Sequence, residues 1–218
     1  MSKLFFQIFL FLLLIVTFCG CVATSNYYSG RTLEKNKLLV GVGADEIAII
    51  STNKDITVSR DSPFMPSIMF AYGLPLRLEA GLRYSPTHFL EGTLREQLNP
   101  RSFDIFDCSL NLSYAALIGG YSYLKYGATV SKNLKGFEPY VHYASYHFMG
   151  ATKDDFVDSF ISSMTDEFFN NNHSIGCGII IPLIQGARIC PEANYQYYGN
   201  RLSDGLWHFG IAIRIQAN

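Results

Sequence analysis

Residues able to do chemistry are sparse in this chain, and none of them falls into a catalytic spacing. His142 and His147 stand five apart in an extended run, so they take opposite faces and cannot share a metal. Gly41-Val42-Gly43 lacks the following helix and Lys-Ser/Thr of a phosphate loop. It reads instead as strand glycines at a crowded inner wall, and Gly176 and Gly178 read the same way. His88 and His173 with Asp154, Asp155 and Asp158 are the only material for a hydrolytic site at a rim, and no fixed spacing joins them. No catalytic residue, metal or cofactor is therefore assigned. Cys108, Cys177 and Cys190 are too few for a disulfide scaffold or a zinc site. By parity Cys177 and Cys190 point to opposite faces, which predicts that they stay unbonded. What remains is a set of charges, Arg77, Glu79, Arg83, Arg95, Asp107, Lys125, Glu138, Arg188, Glu192 and Arg214, all on the polar face of alternating segments.

The elements that carry these charges have a period of two from Lys37 onward. Trp207, Phe209, Ile211, Ile213 and Ile215 take one face of the last segment, and His208, Gly210, Ala212, Arg214 and Gln216 the other. Segments at Leu76, Phe106 and Arg188 repeat the pattern, and weaker ones start near Lys37, Pro66, Thr93, Tyr121, Phe137 and His173. This predicts ten strands. Tight links are expected at 73–75, 99–102, 133–136 and 184–186, each with the Gly, Pro or Asn that a turn needs. Longer links are expected at 45–65, 85–92, 115–120, 150–172 and 199–205. Strict alternation of long and short puts both termini and all short turns at one end. In the link 150–172, Phe156, Phe160, Met164 and Phe168 recur every fourth residue behind Asp154 and Asp155, which predicts a short amphipathic helix.

Only 16% of the 218 residues are charged, and the net charge is −1. That composition opposes disorder and nucleic-acid binding and suits a surface that does not all face water. Met1-Ser2-Lys3 leads into an apolar run from Leu4 to Phe18, the form of a signal peptide. Alternation alone does not say which face is inside, because a soluble barrel and a membrane barrel differ only by inversion. Aromatic placement favours the membrane. Tyr84, Tyr114, Tyr121, Tyr195, Tyr197 and Trp207 lie near one set of strand ends, and Phe103, Phe106 and Phe137 near the other.

The break Phe18-Cys19-Gly20-Cys21 resembles the bacterial lipobox, with Phe18 where Leu, Val or Ile is usual. The resemblance implies cleavage before Cys21 and acylation of that cysteine, as by palmitate. With its even strand count, the mature chain resembles the small outer-membrane β-barrel proteins of bacteria. Ser29-Gly30-Arg31-Thr32-Leu33 before the first strand and Phe137-Glu138-Pro139-Tyr140 opening the seventh belong to this likeness. The chain ends Ile215-Gln216-Ala217-Asn218, where barrels of this class often end in an aromatic residue.

The expectation is thus an all-β, antiparallel up-and-down barrel of about ten strands with a short helix in one long loop. Residues 1–20 form the signal peptide, 21–36 a lipidated N-terminal linker and 37–216 the barrel. The protein is placed in the outer membrane with its N-terminus on the periplasmic side. The ten charges line a narrow lumen, and the role is structural or concerned with a small solute. Expected partners are outer-membrane lipid and a small solute or another envelope protein. The alternatives are a lipid-tethered periplasmic barrel that binds an apolar ligand and a rim-site hydrolase.

Overall fold

Segments that alternate in polarity form strands because a period of two matches the pleat, and β-branched and aromatic side chains favour it. The computed structural model describes residues 26–48, 64–86, 89–103, 105–117, 122–149, 172–184, 186–198 and 201–217. Its strands are β1 (Leu38–Ala48), β2 (Phe64–Gly73), β3 (Leu78–Ser85), β4 (Phe89–Gln97), β5 (Asp107–Leu117), β6 (Ser122–Ser131), β7 (Glu138–Met149), β8 (Asn172–Ile184), β9 (Ala187–Tyr198) and β10 (Arg201–Ala217). Each pairs antiparallel with its neighbour in sequence. The pairing of β1 with β10, from Leu38 opposite Ala217 to Ala48 opposite Trp207, closes the barrel. Closure satisfies the backbone groups that an open sheet leaves at its edges.

The links depart from strict alternation. Residues 98–106 join β4 to β5, a longer connection than the expected 99–102. Asn99 shapes it, donating to the Phe106 carbonyl at 2.8 Å and accepting from the Cys108 amide at 2.7 Å. At the opposite end, the links 86–88, 118–121 and 199–200 are short, because ladder pairing extends β4 back through Gly92 to Phe89, β5 on to Leu117 and β10 back to Arg201. Phe89 still pairs with Leu117, for example. Residues 49–63 and 150–171 are the long links at that end.

The third strand begins at Leu78 and not at Leu76. Leu76 and Arg77 take positive φ, 59° and 62°, in a 3-10 turn over Pro75–Arg77. The helix expected between Asp154 and Phe168 lies outside the described residues, as do His88, Tyr121, the leader and Cys21.

The two faces of the wall differ in kind. Large apolar side chains turn outward on strand after strand: Val42, Phe70, Leu82, Leu94, Leu112, Val141, Ile175 and Ile213 are all exposed. Ile211 is 47% exposed while its neighbour Ala212 is 1% exposed. Most acids, arginines, serines and asparagines of the strands turn inward and are buried, while Glu96 near the end of β4 is exposed. Tyr84, Tyr114 and Trp207 are exposed near one set of strand ends, and Phe103, Phe106 and Phe137 at the other.

Candidate functional site: the lumen and the segment that fills it

Because alternate residues share a face, each strand delivers its charges to one interior. There they meet. Glu79 of β3 lies directly across from Arg95 of β4, and their side chains pair at 2.7 Å. Lys125 of β6 reaches Glu91 of β4 at 2.5 Å, and Arg83 of β3 pairs with Asp45 of β1. Arg95 also donates to Asn111 at 3.0 Å and to Ser109 at 3.1 Å. Glu138 accepts the Ser131 hydroxyl at 2.8 Å. Such pairs tolerate burial because each ion meets an opposite charge and its remaining polar atoms find partners.

The centre of the lumen is occupied by the chain's own N-terminal segment. Asn26, Tyr27, Tyr28, Ser29 and Thr32 are buried, with Tyr27 fully so. Tyr27 has a φ of 51°. This left-handed turn is unfavourable for a tyrosine by about 1 kcal/mol, and it accompanies two successive amides on one acceptor. The amides of Asn26 and Tyr27 donate to the Glu192 carboxylate at 2.6 and 2.7 Å. Glu192 also accepts from Asn194 at 2.8 Å and from the Tyr140 hydroxyl, and lies 3.2 Å from His142 Nε2.

Other polar groups of the segment are also met by the wall. The Tyr27 hydroxyl donates to Asp45 at 2.6 Å, and its carbonyl accepts from Arg214. Arg95 donates to the Ser29 carbonyl, and the Gly30 amide donates to Ser131 at 2.9 Å. Arg31 pairs with Asp107 at 3.0 Å, and the Leu33 amide donates to Glu79 at 2.7 Å. The guanidinium of Arg83 lies 5.2 Å from the Tyr27 ring centroid and that of Arg95 lies 4.7 Å from the Tyr28 ring.

Small wall residues make room for the segment. A Cβ on Gly43 would sit 3.2 Å from the Tyr27 ring, and one on Gly81 would sit 3.1 Å from the Tyr28 hydroxyl. In the segment itself, a Cβ on Gly30 would collide with the Asp107 carbonyl. Segment and wall therefore fit as closely as two parts of one core.

The structure places Glu79, Arg83, Arg95, Asp107, Lys125, Glu138, Glu192 and Arg214 on the inner wall, buried. Two of the ten expected residues, Arg77 and Arg188, are exposed. Arg77 is exposed in the 3-10 turn, where the strand parity does not apply, and donates to the Leu98 carbonyl at 3.3 Å. Arg188 keeps the parity of Glu192 but sits one residue into β9, at an open depression beside Gly186 and Gln216, and is exposed. His142 is buried and His147 exposed; Cys177 is exposed and Cys190 buried, and both cysteines are free.

Sequence reasoning missed Asp45, Glu91 and the buried segment itself. Asp45 continues the parity of Gly41 and Gly43, and Glu91 that of Arg95, but both fall within the links expected at 45–65 and 85–92. For residues 26–33 no local signal exists, since their partners lie on β1, β3, β4, β5, β6, β9 and β10. Part of the expected linker 21–36 thus lies inside the barrel: residues 26–30 and Thr32 are buried, while Arg31 is exposed at the mouth.

No protein-family model matches the sequence, and no curated protein sequence does. Solved structures resemble the fold. An outer membrane channel from Pseudomonas putida F1 is 9% identical, with a TM-score of 0.52 over 90% of this chain and 100% of that one. The outer membrane protein OprG from Pseudomonas aeruginosa is 10% identical, with a TM-score of 0.40 over 88% of this chain and 100% of its own. At such identity the likeness to the channel establishes the barrel fold and nothing finer.

Proposed function

We propose that this chain is an outer-membrane β-barrel lipoprotein, acylated on Cys21, with a structural or small-solute role and a lumen closed by residues 26–33. The observation that carries the membrane reading is the inverted burial: charge inside and aliphatic side chains outside, around the described circumference. In water a continuous apolar belt of this kind drives aggregation, whereas lipid is its natural solvent. The two rings of exposed aromatics fit the two membrane–water interfaces.

The alternative of a soluble barrel holding an apolar ligand needs the reverse arrangement, with an apolar interior. A hydrolase at the rim finds little support. His173 turns outward, with Tyr143 at 2.8 Å and the Tyr197 ring centroid at 5.4 Å, and Asp154, Asp155 and Asp158 lie outside the described residues.

The proposed anchor acquires a purpose from the filled lumen. Cys21 precedes Asn26 by five residues. Five extended residues span at most about 18 Å, so an acyl group on Cys21 would fix the end of the segment close to the barrel that holds it. Fractionation with outer membranes, heat-modifiable gel migration and incorporation of labelled palmitate that Cys21→Ser abolishes are the expected results. Protein that stays soluble and monomeric without detergent after loss of the lipid would sink the membrane reading.

A further inference from the structure

We infer that residues 26–33 are a displaceable plug, and that their withdrawal opens a lumen that prefers cations. The inference rests on the membrane-barrel reading above. Three observations lead to it. The first is how the segment is held. Among the described residues, no backbone–backbone hydrogen bond joins residues 26–33 to a strand. The contacts run through wall side chains such as Glu192, Ser131 and Glu79, through Arg95 and Arg214, and through the segment's own Tyr27 and Arg31. All ten strand ladders can therefore stay closed when it leaves.

The second observation is the completeness of the wall without the segment. Asp45 with Arg83, Glu79 with Arg95 and Glu91 with Lys125 are wall-to-wall pairs and persist in its absence. Water entering the lumen would hydrate Glu192, Asp107 and Arg214 in place of the lost contacts. Opening therefore does not strand these buried ions without solvation.

The third observation is the sign of what remains. Among the described residues, the buried inner wall carries six carboxylates, Asp45, Glu79, Glu91, Asp107, Glu138 and Glu192, against four cations, Arg83, Arg95, Lys125 and Arg214, and Arg188 at the mouth, opposite Arg214, adds a fifth. Arg31, which offsets Asp107, leaves with the segment. An acidic, narrow passage raises the local concentration of cations and repels anions.

The test is conductance of the purified full-length protein in planar lipid bilayers under a potassium chloride gradient. The unaltered protein should be closed nearly all the time. Combining Tyr27→Ala, Tyr28→Ala and Arg31→Ala should raise the open fraction by roughly tenfold or more. The current should reverse toward the potassium equilibrium potential, and adding Asp107→Asn should weaken that preference. Silence from variant barrels that remain heat-modifiable overturns the inference, and so does chloride preference. If the triple variant fails to fold, Tyr27→Phe with Arg31→Gln takes its place, with the same two overturning outcomes. Failure of the unaltered protein to insert in bilayers and to fractionate with outer membranes counts against the membrane reading instead, so the two failures are distinct.

Discussion

The inner and outer faces of the same ten strands obey opposite rules. Outside, Leu94, Leu110, Leu112, Ile211 and Ile213 are alike: each is a large aliphatic side chain, exposed on the outward face. Inside, most charged residues have a named partner, as Glu192 has the Asn26 and Tyr27 amides and Arg95 has Glu79 and Ser29, while buried His208 has no hydrogen-bond partner among the described residues. The outer face asks for apolar class, with Glu96 near the end of β4 a charged exception; the inner face asks for particular atoms at particular distances. Substitutions should therefore be judged by class outside and by partner inside.

The comparison is tested most severely by Arg95→Leu. It leaves Glu79 buried without its cation, and removing one partner of a buried pair costs about 3–5 kcal/mol. Unfolding of lipid-reconstituted protein in denaturant should show a loss of that order; a loss under ~1 kcal/mol would mean that water already solvates the lumen. On the outer face, Leu112→Arg should cost about 2–4 kcal/mol near the bilayer midplane, and Leu112→Ile far less. Equal effects of the two substitutions would break the claim that only class matters there.

A smaller effect is expected at Tyr27→Phe, which keeps the ring against Gly43 but removes the hydroxyl that donates to Asp45. A hydrogen bond to a charged group is worth about 1.5–3 kcal/mol, and Arg83 remains to hold Asp45, so the lower end should be observed. Smallest of all is Gly92→Ala. Its Cβ meets nothing within 4 Å, so stability should change by no more than about 0.5 kcal/mol. Gly30→Ala, by contrast, collides with the Asp107 carbonyl and should loosen the backbone at Arg31, whose side chain is already exposed, so that added protease cuts there even while the barrel stays folded. Protection of Arg31 in that variant would show that the segment adapts to the wall.

Much of the barrel was legible because period-two alternation is a local property. Phe209, Ile211 and Ile213 against Ala212 and Arg214 declare a strand and its two faces within a few residues. Element ends were less legible. Segments 85–92 and 115–120 read as loops, yet ladder pairing carries β4 through Gly92 and extends β5 to Leu117, since an unpaired backbone group in the wall costs more than a poor strand former. Arg77 was misplaced for the related reason that parity breaks in a turn with two left-handed residues.

The sequence by itself thus determined ten alternating segments, a nearly uncharged face and a charged one. Only the tertiary structure decided which face is inside, because alternation is unchanged when the two faces are exchanged. Closure of β1 on β10 removed that symmetry and set Asp45, Glu192 and Arg214 around Tyr27. The filled lumen has the same origin. The Tyr27 amide and Glu192 are 165 residues apart, and no pattern in the chain records a contact that exists only once the barrel has closed around it.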